Sequence, residues 1–313
     1  MAKRTAIVIK LLVTLLLLLW IAEKVSWGQV SKVIASLGWK EWLAALLLVS
    51  LQNILAAWRW HLIMKNLDID MPGARSLRYF FGGLWLNQTL PASVGGDIAR
   101  VWLVTRDGHK LGDALHSIIL DRLFPLLSLT ALILLTLVQW VVLTKQTIPA
   151  LLFAVMALVS MVILAVLIQL SDRITHLHQT RWIGKIQEFV IAIRSCMRHP
   201  RNLLPPLIAG IVGFGLMSEL VSSLSYNMSI NLDFWECLTL CPPVFLIASL
   251  PISIAGWGVR EGAMVLILGL VNIPPTQAMS LSIALGLIVL VGSIPGMFCL
   301  WHLKLSPAQD ADI

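Results

Sequence analysis

The sequence predicts an all-α polytopic membrane protein, an inverted repeat with six full transmembrane helices and two re-entrant broken-helix hairpins. Three observations carry this expectation. The first is composition: 58% hydrophobic and 12% charged residues with a mean hydropathy of +0.87 exclude a soluble globular domain. The second is an internal echo, in which Leu90-Pro91-Ala92-Ser93-Val94-Gly95-Gly96-Asp97-Ile98-Ala99-Arg100 returns 160 residues later as Leu250-Pro251-Ile252-Ser253-Ile254-Ala255-Gly256-Trp257-Gly258-Val259-Arg260. Each copy sets helix-breaking Pro and Gly and one arginine inside an apolar stretch, as paired broken helices around a buried site require. The third is an uneven distribution of positive charge between the two sides of the folded chain.

Along the chain, Lys3, Arg4 and Lys10 precede the apolar run Leu11 to Ala22 in the manner of a signal sequence. No small-x-small cleavage site follows, and the run passes directly into Glu23-Lys24, so 6–22 reads as an uncleaved first crossing. A span needs about 20 apolar residues, and 41–64, 113–142, 148–170, 203–226 and 277–300 supply five more. The stretches 76–104 and 236–271 are interrupted at Pro91 to Gly96 and at Pro251 to Gly258. Their halves, ~10 to 16 residues or ~15 to 24 Å of helix, reach mid-bilayer and return rather than cross.

With these segments re-entrant, fifteen Lys and Arg fall on one side and four (Lys24, Lys32, Lys40 and Lys145) on the other. The positive-inside rule then puts both termini in the cytoplasm, in a plasma (inner) membrane. The first hairpin enters from the cytoplasm and the second from outside, which makes the two copies an inverted pair. Repeat one is 1–145, repeat two 146–305, and 306–313 a short polar tail. Residues 171–202 form a basic, partly amphipathic linker that either rests on anionic headgroups or is a solvated connector.

Charges retained in hydrocarbon cost at least ~2.5 kcal/mol each, so they are usually paired or functional. Here they are Arg59, Asp97, Arg100, Asp121, Arg122, Glu219, Arg260 and Glu261. In one account they are locks: Arg100 with Asp97, Asp121 with Arg122 or Arg59. In the other, each hairpin's second helix starts near Gly95-Gly96 or Gly256, and its free N–H groups and positive dipole end join Arg100 and Arg260 in one anion site. Asn87, Ser93 and Ser253 add hydrogen-bonding groups around the breaks, and Asp97 also suits an N-cap or first-turn acid. Duplication of both break and arginine favours the anion site. Arg59 and Glu219 sit 160 apart with opposite charge, although Arg59, between Trp58 and Trp60, also suits snorkelling to the interface.

No metal-binding His-Glu-x-x-His, phosphate-binding loop or Gly-x-Ser-x-Gly elbow occurs, so no enzymatic activity, cofactor or metal is expected. The four cysteines read as packing residues. No nucleic-acid partner is expected.

The runs Asn87-Gln88-Thr89-Leu90-Pro91 through Arg100, Ala114 through Asp121-Arg122-Leu123, and Pro251 through Arg260-Glu261-Gly262 resemble the lysylphosphatidylglycerol synthase transmembrane-region family, which includes the N-terminal flippase domain of the multiple peptide resistance factor. The resemblance covers about 10 to 300 and implies lipid translocation or handling, with membrane lipids bearing anionic headgroups as partners. A chain ending at Ile313 lacks that factor's soluble aminoacyltransferase domain, which argues against lysyl transfer. The expected function is translocation of a phosphate-bearing lipid between leaflets. A non-transporting lipid-binding or regulatory subunit, and an integral-membrane transferase using Asp97 or Glu261 as base, stay open as alternatives. So do a homo-oligomer and an envelope-biosynthesis partner.

Overall fold

The computed structural model describes Gly28, residues 38–89 and 94–148, positions 151–155, 158, 159, 162 and 166, and residues 181–197, 199–249 and 257–305. The expected crossing 6–22 lies outside the described residues, and 148–170 lies inside them only in part. Every element named below is helical. They are α1 (Trp39–Asn66), α2 (Gly73–Thr89), α3 (Gly95–Arg106), α4 (Leu111–Leu135), α5 (Leu137–Thr144), α6 (Arg181–Met197), α7 (Pro200–Asn227), α8 (Phe234–Ala248), α9 (Val259–Gly269), α10 (Pro275–Ser293) and α11 (Pro295–Leu305). Among the described residues, four stretches are long and apolar enough to cross a membrane: α1, α4, α7, and α10 with the start of α11 through Trp301.

Local chemistry sets these boundaries. Pro200 and Pro275 stand at the first turns of α7 and α10, where a missing N–H costs nothing. A reciprocal cap opens α8: Glu236 N–H donates to Asp233 Oδ1 at 2.7 Å, and Asp233 N–H donates to Glu236 Oε2 at 3.0 Å. The crossing expected over 113–142 breaks at Thr136 between α4 and α5, and that over 277–300 breaks at Ile294 between α10 and α11.

α1 and α7 pack along their lengths, antiparallel, with Asn66 Nδ2 donating to the Asn202 carbonyl at 3.2 Å. In the first hairpin the chain returns to its starting level, since Arg75 and Tyr79 of α2 both bond Asp107, just past α3, at 3.3 and 2.8 Å. Glycine permits the close packing within it. A Cβ on Gly96 would meet the Gly83 carbonyl, and one on Gly296 of α11 would meet the Phe81 carbonyl on another side of α2. The second hairpin pairs α8 with α9. Each broken crossing sends its end to the other half: α5 packs on α8, and α11 packs on α2.

Of the linker expected over 171–202, residues 181–197 form α6, one face of which packs against protein. The face of α6 carrying Val190, Ala192, Ile193, Cys196 and Met197 is buried, and it joins Ile63, Leu120 and Phe124 in one apolar cluster. Burial of those side chains, each worth roughly 1.5–3 kcal/mol for the larger ones, outweighs the pull of its basic residues toward a surface.

Candidate functional site

The charges of the first hairpin converge with those of two crossings. Asp97 stands in the first turn of α3; the N-cap is Val94, which makes no side-chain cap, so Asp97 is the first-turn acid rather than the cap. Three residues on, one turn along the same face, Arg100 gives Nη2 to Asp97 Oδ1 at 2.7 Å and Nη1 to Asp121 Oδ2 on α4 at 2.8 Å. Arg59 of α1 gives Nε and Nη2 to Asp121 Oδ1 at 3.2 and 3.0 Å. Arg122 gives Nε and Nη2 to Asp97 Oδ2 at 3.0 and 2.6 Å. The expected Asp121–Arg122 pair does not form: Asp121 is held by Arg59 and Arg100, and Arg122 by Asp97. Nor does Arg59 snorkel: it is buried and ion-paired.

The three arginines differ in freedom. Arg100 is buried, its guanidinium 4.9 Å from the Trp60 ring centroid and 5.2 Å from that of Phe80. Arg59 is likewise enclosed. The Arg122 side chain is 57% exposed, and its Nη1 has no hydrogen bond among the described residues.

A cavity of ≈ 680 Å³ opens beside this network. Arg59, Asn87, Arg100, Asp121 and Arg122 form its polar wall, and Leu126, Leu129, Phe153, Phe214, Phe245 and Ile247 supply apolar lining. Pro125 also lines it, and having no N–H, it leaves the Asp121 carbonyl without its intrahelical donor.

In the second hairpin, Arg260 stays local. It donates Nη2 to Glu261 Oε1 at 2.6 Å and Nε to Ser282 Oγ at 3.1 Å, while Ser282 Oγ donates to Glu261 Oε1 at 3.0 Å. Trp257 lies 5.0 Å from the guanidinium, and Gly286 leaves room for it where a Cβ would collide. Glu261 is fully buried and also accepts the N–H of Gly258, whose φ of 86° only glycine adopts readily.

The site expected from sequence is therefore reshaped. Arg100 and Arg260 do not share this cavity; Arg260 is not among the described residues that line it. The half-helix N-termini are occupied by the chain itself: Gly96 N–H donates to Asn87 Oδ1 at 2.8 Å, and Gly258 N–H donates to Glu261. Gly95 is half-buried at the start of α3, whereas Ser93, Ser253 and Gly256 lie outside the described residues. Glu219 is exposed on α7 and makes no ion pair among the described residues. α1 and α7 start 161 residues apart, so the Arg59 position is matched by buried Leu220. Arg122, read from sequence as a lock, is the most exposed of the three guanidiniums that line the cavity.

A helical membrane protein whose charged groups gather at a helix-break-helix hairpin beside an amphipathic cavity defines the class. Within it, the family described as lysylphosphatidylglycerol synthase TM region matches residues 7–296, and the chain belongs to that family. Among curated proteins, none matches the chain.

Proposed function

We propose that the protein translocates a phosphate-bearing anionic lipid between the leaflets of the plasma membrane. One observation carries the reading: a single cavity presents a half-free guanidinium, Arg122, on one wall and aromatic and aliphatic side chains on another. A headgroup phosphate accepts two hydrogen bonds from a guanidinium fork, and the apolar wall suits the first carbons of the chains. Family membership supports a lipid-related role.

Alternating access needs two matched halves, and the fold supports that arrangement. The second-half helices α7, α8, α9, α10 and α11 each start 158–164 residues after α1, α2, α3, α4 and α5. Fifteen basic residues against four orient the copies as an inverted pair with both termini cytoplasmic. In the proposed cycle the phosphate displaces part of the Arg122–Asp97 contact, and rocking of the halves changes which leaflet the cavity meets.

The rival is a lipid-binding subunit that transports nothing, favoured by the complete pairing of Arg100 and Arg260. Reconstitution decides between them. Liposomes containing the full chain and a labelled anionic phospholipid should exchange label between leaflets faster than protein-free liposomes, and Arg122→Gln should abolish the gain. Tight binding with no gain, with or without a proton gradient, would establish the subunit.

A further inference from the structure

Resting on the lipid reading above, we infer that this cavity selects a headgroup with one negative charge, a phosphodiester, over a dianionic phosphomonoester. Three guanidiniums and two carboxylates make one connected network: Arg59, Arg100 and Arg122 with Asp97 and Asp121. It carries one positive charge more than it neutralises internally. Among the described residues the excess has one outlet, because Arg59 and Arg100 are buried against carboxylates while Arg122 Nη1 meets no acceptor there.

A monoanion on Arg122 closes the balance. A second negative charge would find no further cation among the cavity's described lining, and Asp121 faces the same space. An uncompensated charge in a partly enclosed, largely apolar cavity is strongly disfavoured. A phosphodiester is a fixed monoanion near neutral pH, whereas a phosphomonoester carries about −1.5 to −2 charges at pH 7. The Asn87 amide does not change the count, since its Nδ2 donates to Asp97 and its Oδ1 is held by Gly96.

Phosphatidylmethanol and phosphatidic acid with identical chains differ by one methyl group and one ionisable proton. Each would compete with a fluorescent-chain phosphatidylmethanol for the detergent-solubilised full-length protein. At about pH 8, where the monoester is dianionic, phosphatidylmethanol should compete on the order of tenfold better. At about pH 6, where the monoester nears one charge, the gap should shrink. Asp97→Asn raises the network's excess to two positive charges and should reverse the order at pH 8. Phosphatidic acid competing as well as or better than phosphatidylmethanol at pH 8 would overturn the inference, as would an unchanged order in a folded Asp97→Asn protein. If that variant does not fold, the wild-type pH series decides alone. Competition by neither lipid would instead remove the cavity as a lipid site, and binding without leaflet exchange would remove translocation while leaving the charge selectivity standing.

Discussion

The two hairpins start from the same peptide and end in different electrostatic states. In the first, Arg100 reaches across to Asp121; in the second, Arg260 reaches across to Ser282, 161 residues after Asp121. A carboxylate at that place recruits a further cation, Arg59, and Asp97 recruits Arg122, so the first network extends to the cavity with one charge in excess. A hydroxyl recruits none, and the second network closes on Glu261 as a neutral, buried lock. Asp121 in place of Ser282, together with Asp97, which has Trp257 at the matching place in the second copy, separates a network that carries excess charge to a cavity from one that is neutral.

The largest effect belongs to the lock. Glu261→Ala leaves Arg260, Ser282 and the Gly258 N–H without their shared acceptor in a fully buried place. Removing one partner of a buried ion pair costs about 3–5 kcal/mol, so the unfolding midpoint in detergent should collapse. Arg100→Gln should cost a similar amount, since Asp97 and Asp121 both lose a buried partner. Wild-type-like stability of either variant would show that the charges are not what holds the hairpins.

Next comes packing at the first break. Gly96→Ala would drive a Cβ into the Gly83 carbonyl, a backbone atom that cannot turn aside. Overpacking of this kind costs about 1–3 kcal/mol, and Gly96→Leu more. The loss should appear as reduced thermal stability, with α2 and α3 forced apart, rather than as a plugged but intact cavity. A stable Gly96→Leu protein that merely stops binding lipid would show instead that the added side chain blocks access to the cavity.

Arg122→Gln is the complementary case. With the side chain 57% exposed, the Arg122–Asp97 pair should contribute under about 1 kcal/mol to stability. Lipid affinity should nonetheless fall by on the order of 1.5–3 kcal/mol, as for a charge-assisted hydrogen bond. Equal binding by wild type and variant would detach the cavity from its proposed ligand.

Sequence reading reached what is local and missed what is not. The breaks follow from Pro and Gly in apolar runs, and the Asp97–Arg100 pair follows from spacing within one helix. Long crossings follow from hydropathy alone. The Arg100–Asp121 and Arg122–Asp97 contacts depend on how α3 rotates against α4, which no periodicity encodes. Capture of the Gly96 N–H by Asn87 likewise needs the hairpin closed across Gly83. For α6 the basic residues were legible, but its protein contacts were not, because a protein neighbour and a lipid surface look alike to an apolar stripe.

The smallest expected effect has the opposite sign. Gly262 lies inside α9, one position beyond Glu261, and a Cβ there meets nothing within 4 Å. Its φ is not in the left-handed region, so alanine fits the backbone without strain. Gly262→Ala therefore keeps every contact of the lock while reducing the freedom of the unfolded chain, and it should stabilise the protein by about 0.4–1 kcal/mol. Gly83→Ala, where the Gly96 carbonyl and the Arg100 side chain crowd the new methyl, should destabilise. Thermal unfolding of the two variants in one detergent gives the sign directly. Destabilisation by Gly262→Ala would show that a Cβ at this position meets a neighbour outside the described residues.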